Sequence, residues 1–190
     1  MKTKNIMIVG VGGQGTLLAS KLLGRLLLQK GYDVKVSEVH GMSQRGGSVV
    51  TYVRYGDKVY SPIIDKGEAD VIVSFELLEA ARYTEYLSKD GTVITNTQQV
   101  NPMPVITGAA EYPSDLVKKM ASLGINIDAI DALCLAQQAG SPKAVNLVLM
   151  GRLSKYFDFT QEEWMEAIEQ SVPEKFLELN KIAFNLGKNF

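Results

Sequence analysis

Three glycines near the N-terminus have the spacing of a turn that binds phosphate. Gly10, Gly12 and Gly15 follow an apolar run and precede residues with helical spacing, which is the context of a dinucleotide-binding turn. The first glycine allows the tight bend, the second lets a phosphate approach the backbone, and the third permits close helix–strand packing. Free N–H groups at the start of the helix favour an anion. The alternative is that the glycines only close a strand–helix turn.

A second polar segment adds side chains that suit the same kind of ligand. Residues 38–48 read Glu-Val-His-Gly-Met-Ser-Gln-Arg-Gly-Gly-Ser. Arg45 is suited to bidentate contacts with phosphate or carboxylate, and Glu38 could bind a ribose-type hydroxyl. The alternative is an ordinary polar connector with Arg45 in a surface ion pair. The residues predicted to bind a ligand are Gly10, Gly12, Gly13, Gln14, Gly15, Thr16, Glu38, His40, Ser43, Arg45, Gly46 and Gly47.

No catalytic residue and no metal ligand is predicted. Cys134 is the only cysteine, and one thiol cannot hold an iron–sulfur cluster or a structural zinc ion. Because its neighbours are apolar and helical, it is expected to be buried and inert. His40 is the only histidine, and no Ser-His-Asp order supports hydrolysis, so we interpret it as a hydrogen-bonding or interface residue.

A sheet is needed to position the two glycine-rich segments. The pattern predicts a strand at Asn5–Val9, a helix at Thr16–Gln29 and a second strand at Asp33–Val39, which form a parallel pair with a right-handed crossover. Because the carboxyl ends of both strands face one side, residues 38–48 are expected beside the glycine turn.

The remaining pattern completes an α/β fold. Ser48–Tyr55 with a return at Lys58–Tyr60 predicts a β-hairpin, and Thr160–Glu163 is a capping box. Further strands are predicted at Asp70–Ser74, Gly91–Asn96, Ile125–Ile130 and, as a short edge strand, Val105–Ile106. The predicted fold is Rossmann-like: a mostly parallel sheet flanked by helices, with a short β-hairpin insertion and a helical C-terminal tail. We expect one domain over residues 1–190, with an α/β core at about 1–156 and the tail at about 157–190.

Composition and charge narrow the function classes. The chain has 190 residues, 46% hydrophobic and 22% charged, which is typical of one globular domain. No apolar run approaches the ~20 residues that span a bilayer, and no signal peptide is recognisable, so we expect a cytoplasmic protein. Residues 1–60 carry nine Lys or Arg against three Asp or Glu, which suits an anionic ligand or partner. No basic cluster with interleaved aromatics predicts nucleic-acid binding.

Three motifs together resemble a known family. Gly-Val-Gly-Gly-Gln-Gly at 10–15, Glu-Val-His-Gly-Met-Ser-Gln-Arg-Gly-Gly at 38–47 and Asn-Leu-Val-Leu-Met-Gly at 146–151 resemble the γ-subunit, or γ-domain, family of 2-oxoacid:ferredoxin oxidoreductases. The resemblance covers roughly residues 5–155, and the compact length is most similar to the β subunit of the indolepyruvate type. It implies oxidative decarboxylation of a 2-oxoacid, here indolepyruvate or another aryl pyruvate, to an acyl-CoA, with electrons passing to ferredoxin.

The resemblance also implies how the work is divided. Thiamine diphosphate and iron–sulfur clusters are expected on a larger catalytic subunit, on which this chain packs, while the chain itself holds no cofactor and is inactive alone. Gly12–Gly15 would line an anion-binding turn that helps bind CoA, and Arg45 would contact a phosphate or a partner carboxylate. Ferredoxin is an indirect partner. Two alternatives stay open: a stand-alone NAD(P)- or flavin-binding oxidoreductase, and a structural assembly module with an empty glycine turn.

Overall fold

The computed structural model describes residues 2–41 and 46–190. Within these ranges six strands form one sheet in the order β2-β3-β1-β4-β5-β6, and α-helices cover both of its faces. In chain order the elements are β1 (Lys4–Val11), α1 (Thr16–Gln29), β2 (Asp33–His40), β3 (Ser48–Gly56), β4 (Ala69–Ser74), α2 (Leu77–Arg82), β5 (Leu87–Asn96), α3 (Met103–Ile106), α4 (Leu116–Ser122), β6 (Asn126–Ile130), α5 (Ala132–Gln138), α6 (Val145–Leu153), α7 (Gln161–Glu169) and α8 (Leu177–Asn189).

The α/β prediction is confirmed, although the sheet is more mixed than a simple Rossmann unit. The β1–β4, β4–β5 and β5–β6 pairs are parallel, and β3 is antiparallel to both β1 and β2. The expectation that β2 adjoins β1 is wrong, because β3 lies between them. The hairpin is formed by β2 and β3, with Val36 opposite Val53, and Lys58–Tyr60 forms no strand.

Burial explains this order. A strand inside the sheet is covered on both faces, and β3 is buried at most positions along its length. In contrast, β2 is partly or fully exposed throughout, and Val36 and Val39 are about half exposed. An edge strand meets fewer neighbours and tolerates this exposure, so the more apolar β3 takes the inner place.

The central strand β1 separates two apolar layers. Ile6 and Ile8 point to the layer that contains α1 and α5 to α8. Met7 and Val9 point to the layer that contains α2 and α4. This alternation is the period-2 pattern of a strand that is covered on both faces. Because β1 is held from both sides, the turn that follows it starts from a rigid position.

The C-terminal helices belong to the same apolar layer as α1. Trp164 of α7 and Phe184 of α8 are fully buried there. Helix α8 lies directly on α6, where a Cβ on Gly151 or Gly187 would overlap the backbone of the other helix. The capping box predicted at Thr160 and Glu163 is confirmed.

Two local expectations are wrong. Val105 and Ile106 lie in α3 instead of an edge strand, because the prolines at 102 and 104 suit the first turn of a helix and cannot donate in a ladder. Cys134 is exposed instead of buried, because α5 buries Leu135 and Ala136 and turns the cysteine outward. Within the described ranges, no helix is both long and apolar enough to cross a membrane.

Candidate functional site

The two glycine-rich segments contact each other at the carboxyl edge of the sheet, as predicted. The Gly12 N–H donates to the Gly47 carbonyl oxygen at 2.8 Å, and the Gly46 N–H donates to the Gly12 carbonyl oxygen at 3.3 Å. This pairing extends the antiparallel ladder of β1 and β3 into the turn. Ser43 and Arg45, which were also predicted to bind the ligand, lie outside the described residues.

Gln14 shapes the turn with its side chain. Its Oε1 accepts from the Val11 N–H at 2.8 Å, and its Nε2 donates to the Phe75 carbonyl oxygen at 3.2 Å. The turn is thereby fastened to the end of β4. A Cβ on Gly10 would lie 2.9 Å from both Gln14 Oε1 and Phe75 Cβ, so this position has no room for a side chain. The Gln14 side chain therefore holds the glycine turn in place against the residue that follows β4.

Helix α1 begins at the turn without a capping side chain. Its N-cap residue is Gly15, in the left-handed conformation with φ 92° and ψ 22°, and no acidic residue lies in the first turn of the helix. The backbone N–H groups of Gly13, Gly15, Thr16 and Leu17 have no acceptor among the described residues. Unpaired N–H groups at a helix N-terminus, with the positive end of the helix dipole, form a site suited to an anion.

Two clefts open on either side of the turn. The smaller, of about 480 Å³, lies between the turn and β2 and includes Leu17, Glu38, His40 and Val49 in its lining. The larger, of about 760 Å³, lies between the turn and the starts of α5 and α6. Its lining includes Val11, Val100, Leu133, Pro142, Lys143 and Val145. Both volumes are in the range of small-molecule sites, and one ligand could reach both clefts across the turn.

Glu38 and His40 lie in the smaller cleft, with few partners of their own. Thr51 Oγ1 donates to Glu38 Oε2 at 3.4 Å, and His40 Nδ1 is 3.2 Å from the Gly41 carbonyl oxygen. Because β3 lies between β1 and β2, Glu38 stands two strand spacings, about 10 Å, from β1. In a simple Rossmann unit the ribose-binding carboxylate is one spacing away.

A buried carboxylate that the sequence interpretation missed supports the larger cleft. Glu76 is 1% exposed and accepts hydrogen bonds from the Glu79 N–H at 2.8 Å, the Val100 N–H at 3.0 Å and the Tyr112 hydroxyl at 2.6 Å. It thus fastens Val100, which lines the cleft, and Tyr112 to the start of α2. A carboxylate two residues after a strongly apolar strand was the available signal.

Glu79 connects α2 to the second glycine-rich segment. The Ser48 hydroxyl donates to Glu79 Oε2 at 2.5 Å, and Arg82 Nε lies 3.2 Å from Glu79 Oε1. Burial raises the pKa of Glu79, and the contacts with Ser48 and Arg82 oppose that rise. Ser48 follows Gly47 directly, so this hydrogen bond helps to hold the backbone against which the glycine turn pairs.

Comparison with known proteins identifies the family. The family model described as pyruvate ferredoxin/flavodoxin oxidoreductase matches residues 5–190. The indolepyruvate oxidoreductase subunit IorB of Thermococcus kodakarensis is 48% identical over 192 residues, which cover 98% of this chain and 95% of that protein. The pyruvate/ketoisovalerate oxidoreductases common subunit gamma of Pyrococcus furiosus is 27% identical, over 88% of this chain and 83% of that protein.

A solved structure supports the fold. The 2-oxoglutarate:ferredoxin oxidoreductase of Magnetococcus marinus superposes with a TM-score of 0.76 at 20% identity, covering 100% of this chain and 31% of that longer chain. The resemblance inferred from the three motifs is confirmed. The chain therefore belongs to the pyruvate ferredoxin/flavodoxin oxidoreductase family.

Proposed function

We propose that this chain is the cluster-free subunit of a 2-oxoacid ferredoxin oxidoreductase that works in the cytoplasm. In this proposal it packs on a larger subunit that carries thiamine diphosphate and iron–sulfur clusters, and it helps to bind CoA. Electrons leave the complex to ferredoxin through that larger subunit. The name of the 48% identical relative favours indolepyruvate, or another aryl pyruvate, as the 2-oxoacid. The chain alone is inactive.

The metal-binding side chains available in this chain support placing the iron–sulfur clusters on the partner subunit. A cubane cluster takes four cysteine ligands, and this chain has one cysteine. Residues 2–41 and 46–190 contain no group of three or more His, Cys, Asp or Glu side chains that could hold a metal ion. The residues present do not fit a cluster, so the contribution of this chain is to bind and orient.

The observation that carries the CoA proposal is the uncapped start of α1 between two clefts. The N–H groups of Gly13, Gly15 and Thr16 would hold the diphosphate of CoA. The larger cleft, with Val11, Leu133 and Val145 in its lining, suits the extended pantetheine arm and shields it from water. The smaller cleft offers polar groups to the nucleoside end. The Magnetococcus marinus 2-oxoglutarate:ferredoxin oxidoreductase structure has CoA bound.

A stand-alone NAD(P)-binding oxidoreductase is the second candidate, because Gly10, Gly12 and Gly15 have the dinucleotide spacing. The insertion of β3 argues against it, since Glu38 is about one strand spacing farther from β1 than a ribose-binding carboxylate should be. Fluorescence titration of the purified chain with NADH separates the two candidates. Saturable micromolar binding of NADH would favour this second function.

The proposal is tested by native purification of the chain from its source. We expect it to be recovered with a larger, cysteine-rich partner, with iron and thiamine diphosphate in the complex. Calorimetric titration of that complex with CoA should show saturable binding. Recovery of a colourless homo-oligomer that binds NADH would refute the subunit assignment. A complex that contains iron and thiamine diphosphate but ignores CoA would leave the assembly role and remove the CoA role.

A further inference from the structure

We propose that Asn146 is a ligand-binding residue whose side-chain amide donates a hydrogen bond to the phosphate held at the glycine turn. The inference rests on the proposed CoA-binding function of that turn and adds a residue from a different part of the chain. Asn146 is the second residue of α6, 131 positions after the glycine at the start of α1.

The hydrogen bonds of Asn146 leave one donor unused. The side chain is 4% exposed, and its Oδ1 accepts from the Leu147 N–H at 2.9 Å. That bond sets the orientation of the amide, so the other atom is Nδ2. Nδ2 has no acceptor among the described residues. Buried donors are nearly always paired, with protein or with ordered water, so Nδ2 is available to an acceptor from outside the chain.

Nδ2 is also open to a ligand. In the described part of the chain, the unpaired side-chain nitrogen and oxygen atoms that are sealed from solvent belong to Arg152, Trp164 and Ser171. Asn146 Nδ2 is unpaired and is not one of these sealed atoms, so it keeps some access from outside although the residue as a whole is 4% exposed.

The position of Nδ2 directs it to the start of α1. A Cβ built on Gly15 would lie 3.0 Å from Asn146 Nδ2, and Gly15 is the N-cap residue of this 14-residue helix. An N-cap residue usually supplies an oxygen that accepts from the first N–H groups of the helix. Here glycine supplies none, and the nearest side chain adds a donor instead.

Unpaired donors gather at the start of α1. They are the backbone N–H groups of Gly15, Thr16 and Leu17 and the Nδ2 of Asn146 beside Gly15. A group that carries only acceptors and negative charge complements them, as phosphate does. Lys143 lies three residues before Asn146 and lines the larger cleft, where its charge would add attraction for the same anion.

The test compares two substitutions of buried asparagines. Asn146→Asp keeps the side-chain shape and replaces the donor by a carboxylate that repels phosphate. Asn180→Asp is the control: Asn180 is 8% exposed on α8, and its Nδ2 is satisfied by the Phe176 carbonyl oxygen at 2.8 Å. The complex with its partner subunit is titrated with CoA by calorimetry, and the KM for CoA and the kcat are measured. Thermal unfolding of each variant reports folding.

We expect Asn146→Asp to raise the Kd and the KM for CoA by at least about tenfold with kcat nearly unchanged, and Asn180→Asp to leave both constants within about twofold of wild type. Asn146→Ser, which keeps a small donor, should lie between wild type and Asn146→Asp. If Asn146→Asp does not fold, the Kd and KM of Asn146→Ser for CoA test the proposal instead.

Each remaining outcome has a defined meaning. If the wild-type complex binds CoA and both Asn146 variants bind it equally well, the inference is wrong and the proposed function stands. If the wild-type complex does not bind CoA, the proposed CoA role fails, and titration with inorganic pyrophosphate decides the inference. Binding of pyrophosphate that is lost in Asn146→Asp supports a donor-only anion site. Absent or unchanged pyrophosphate binding overturns it.

Discussion

Two glycine-to-alanine substitutions, one at each end of helix α1, separate the effect of backbone strain from the effect on ligand binding. Gly15 and Gly31 flank the helix with φ of +92° and +82°, a region that costs an L-residue roughly 1–2 kcal/mol. A Cβ on Gly31 would meet nothing within 4 Å, whereas a Cβ on Gly15 would lie 3.0 Å from Asn146 Nδ2. Gly31→Ala therefore reports backbone strain alone, and Gly15→Ala adds a contact inside the candidate site.

The two variants should differ much more in binding than in stability. For a chain of this length, about 1 kcal/mol corresponds to roughly 2–4 °C in Tm, so each variant should lose about 2–8 °C in differential scanning calorimetry. Only Gly15→Ala should weaken CoA binding, by about tenfold or more, because the methyl group displaces the Asn146 amide and narrows the approach to the free N–H groups of α1.

If Gly15→Ala loses stability as expected and binds CoA like wild type, the turn is not the anion site. If Gly31→Ala weakens CoA binding to the same extent as Gly15→Ala, the loss follows general destabilisation and does not report the site. Equal Tm values for wild type and Gly31→Ala would show that the strain was overestimated, without affecting the assignment of the site.

Three further predictions concern the structure around the site. Gly187→Ala would place a Cβ on the Val148 backbone, so α6 and α8 should separate. Urea denaturation should show that the free energy of unfolding falls by about 3 kcal/mol. A fall below about 0.5 kcal/mol would contradict the close helix contact. Glu76→Gln would turn an amide donor toward the Glu79 N–H, which now donates to Glu76 Oε2, or would break the hydrogen bonds at Oε1. The free energy of unfolding should therefore fall by about 1–3 kcal/mol, and proteolysis within residues 97–115 should accelerate. Wild-type protease resistance would show that Glu76 does not hold this segment. Burial raises the pKa of Glu79 above its ordinary value of 4.5, so the folded state keeps this proton to a higher pH than the unfolded state. The associated stability is fully present below pH 4.5 and is lost as the pH rises through the folded pKa. Glu79→Gln should therefore flatten this part of the curve of unfolding free energy against pH. A curve parallel to that of wild type would show that Glu79 does not titrate abnormally.

Local chemistry accounts for the parts of the fold that could be predicted. The run at β1, the glycine turn and the leucines of α1 follow one another along the chain, so their pattern predicts the unit without any distant contact. The same holds for the capping box at Thr160 and Glu163, which needs only residues three apart. The contact between the glycine turn and Gly46–Gly47 was predicted from the ends of the first two strands lying at one edge of the sheet, although in the structure Gly46 and Gly47 make it as the residues that directly precede β3.

The errors arise where pairing depends on distant residues. A strand run after a short polar segment has several possible partners, and the choice of β3 between β1 and β2 depends on burial of both of its faces. Cys134 has apolar neighbours in the sequence, but only the packing of α5 decides which face of that helix is buried. Val105 and Ile106 have strand-like side chains, and the two neighbouring prolines outweigh that preference.

The sequence by itself determined the α/β class and the position of the glycine turn, because glycine spacing and apolar periodicity act over a few residues, and its three motifs carried the resemblance to the family. Only the tertiary structure decided which groups surround that turn. It showed that Gln14 fastens the turn to β4, that Glu38 stands beyond an inserted strand, and that Asn146 faces the start of α1 with an unpaired donor. Such convergence depends on contacts between segments that are far apart in the chain, 61 residues for Gln14 and Phe75 and 131 for Gly15 and Asn146, and local patterns carry no record of them.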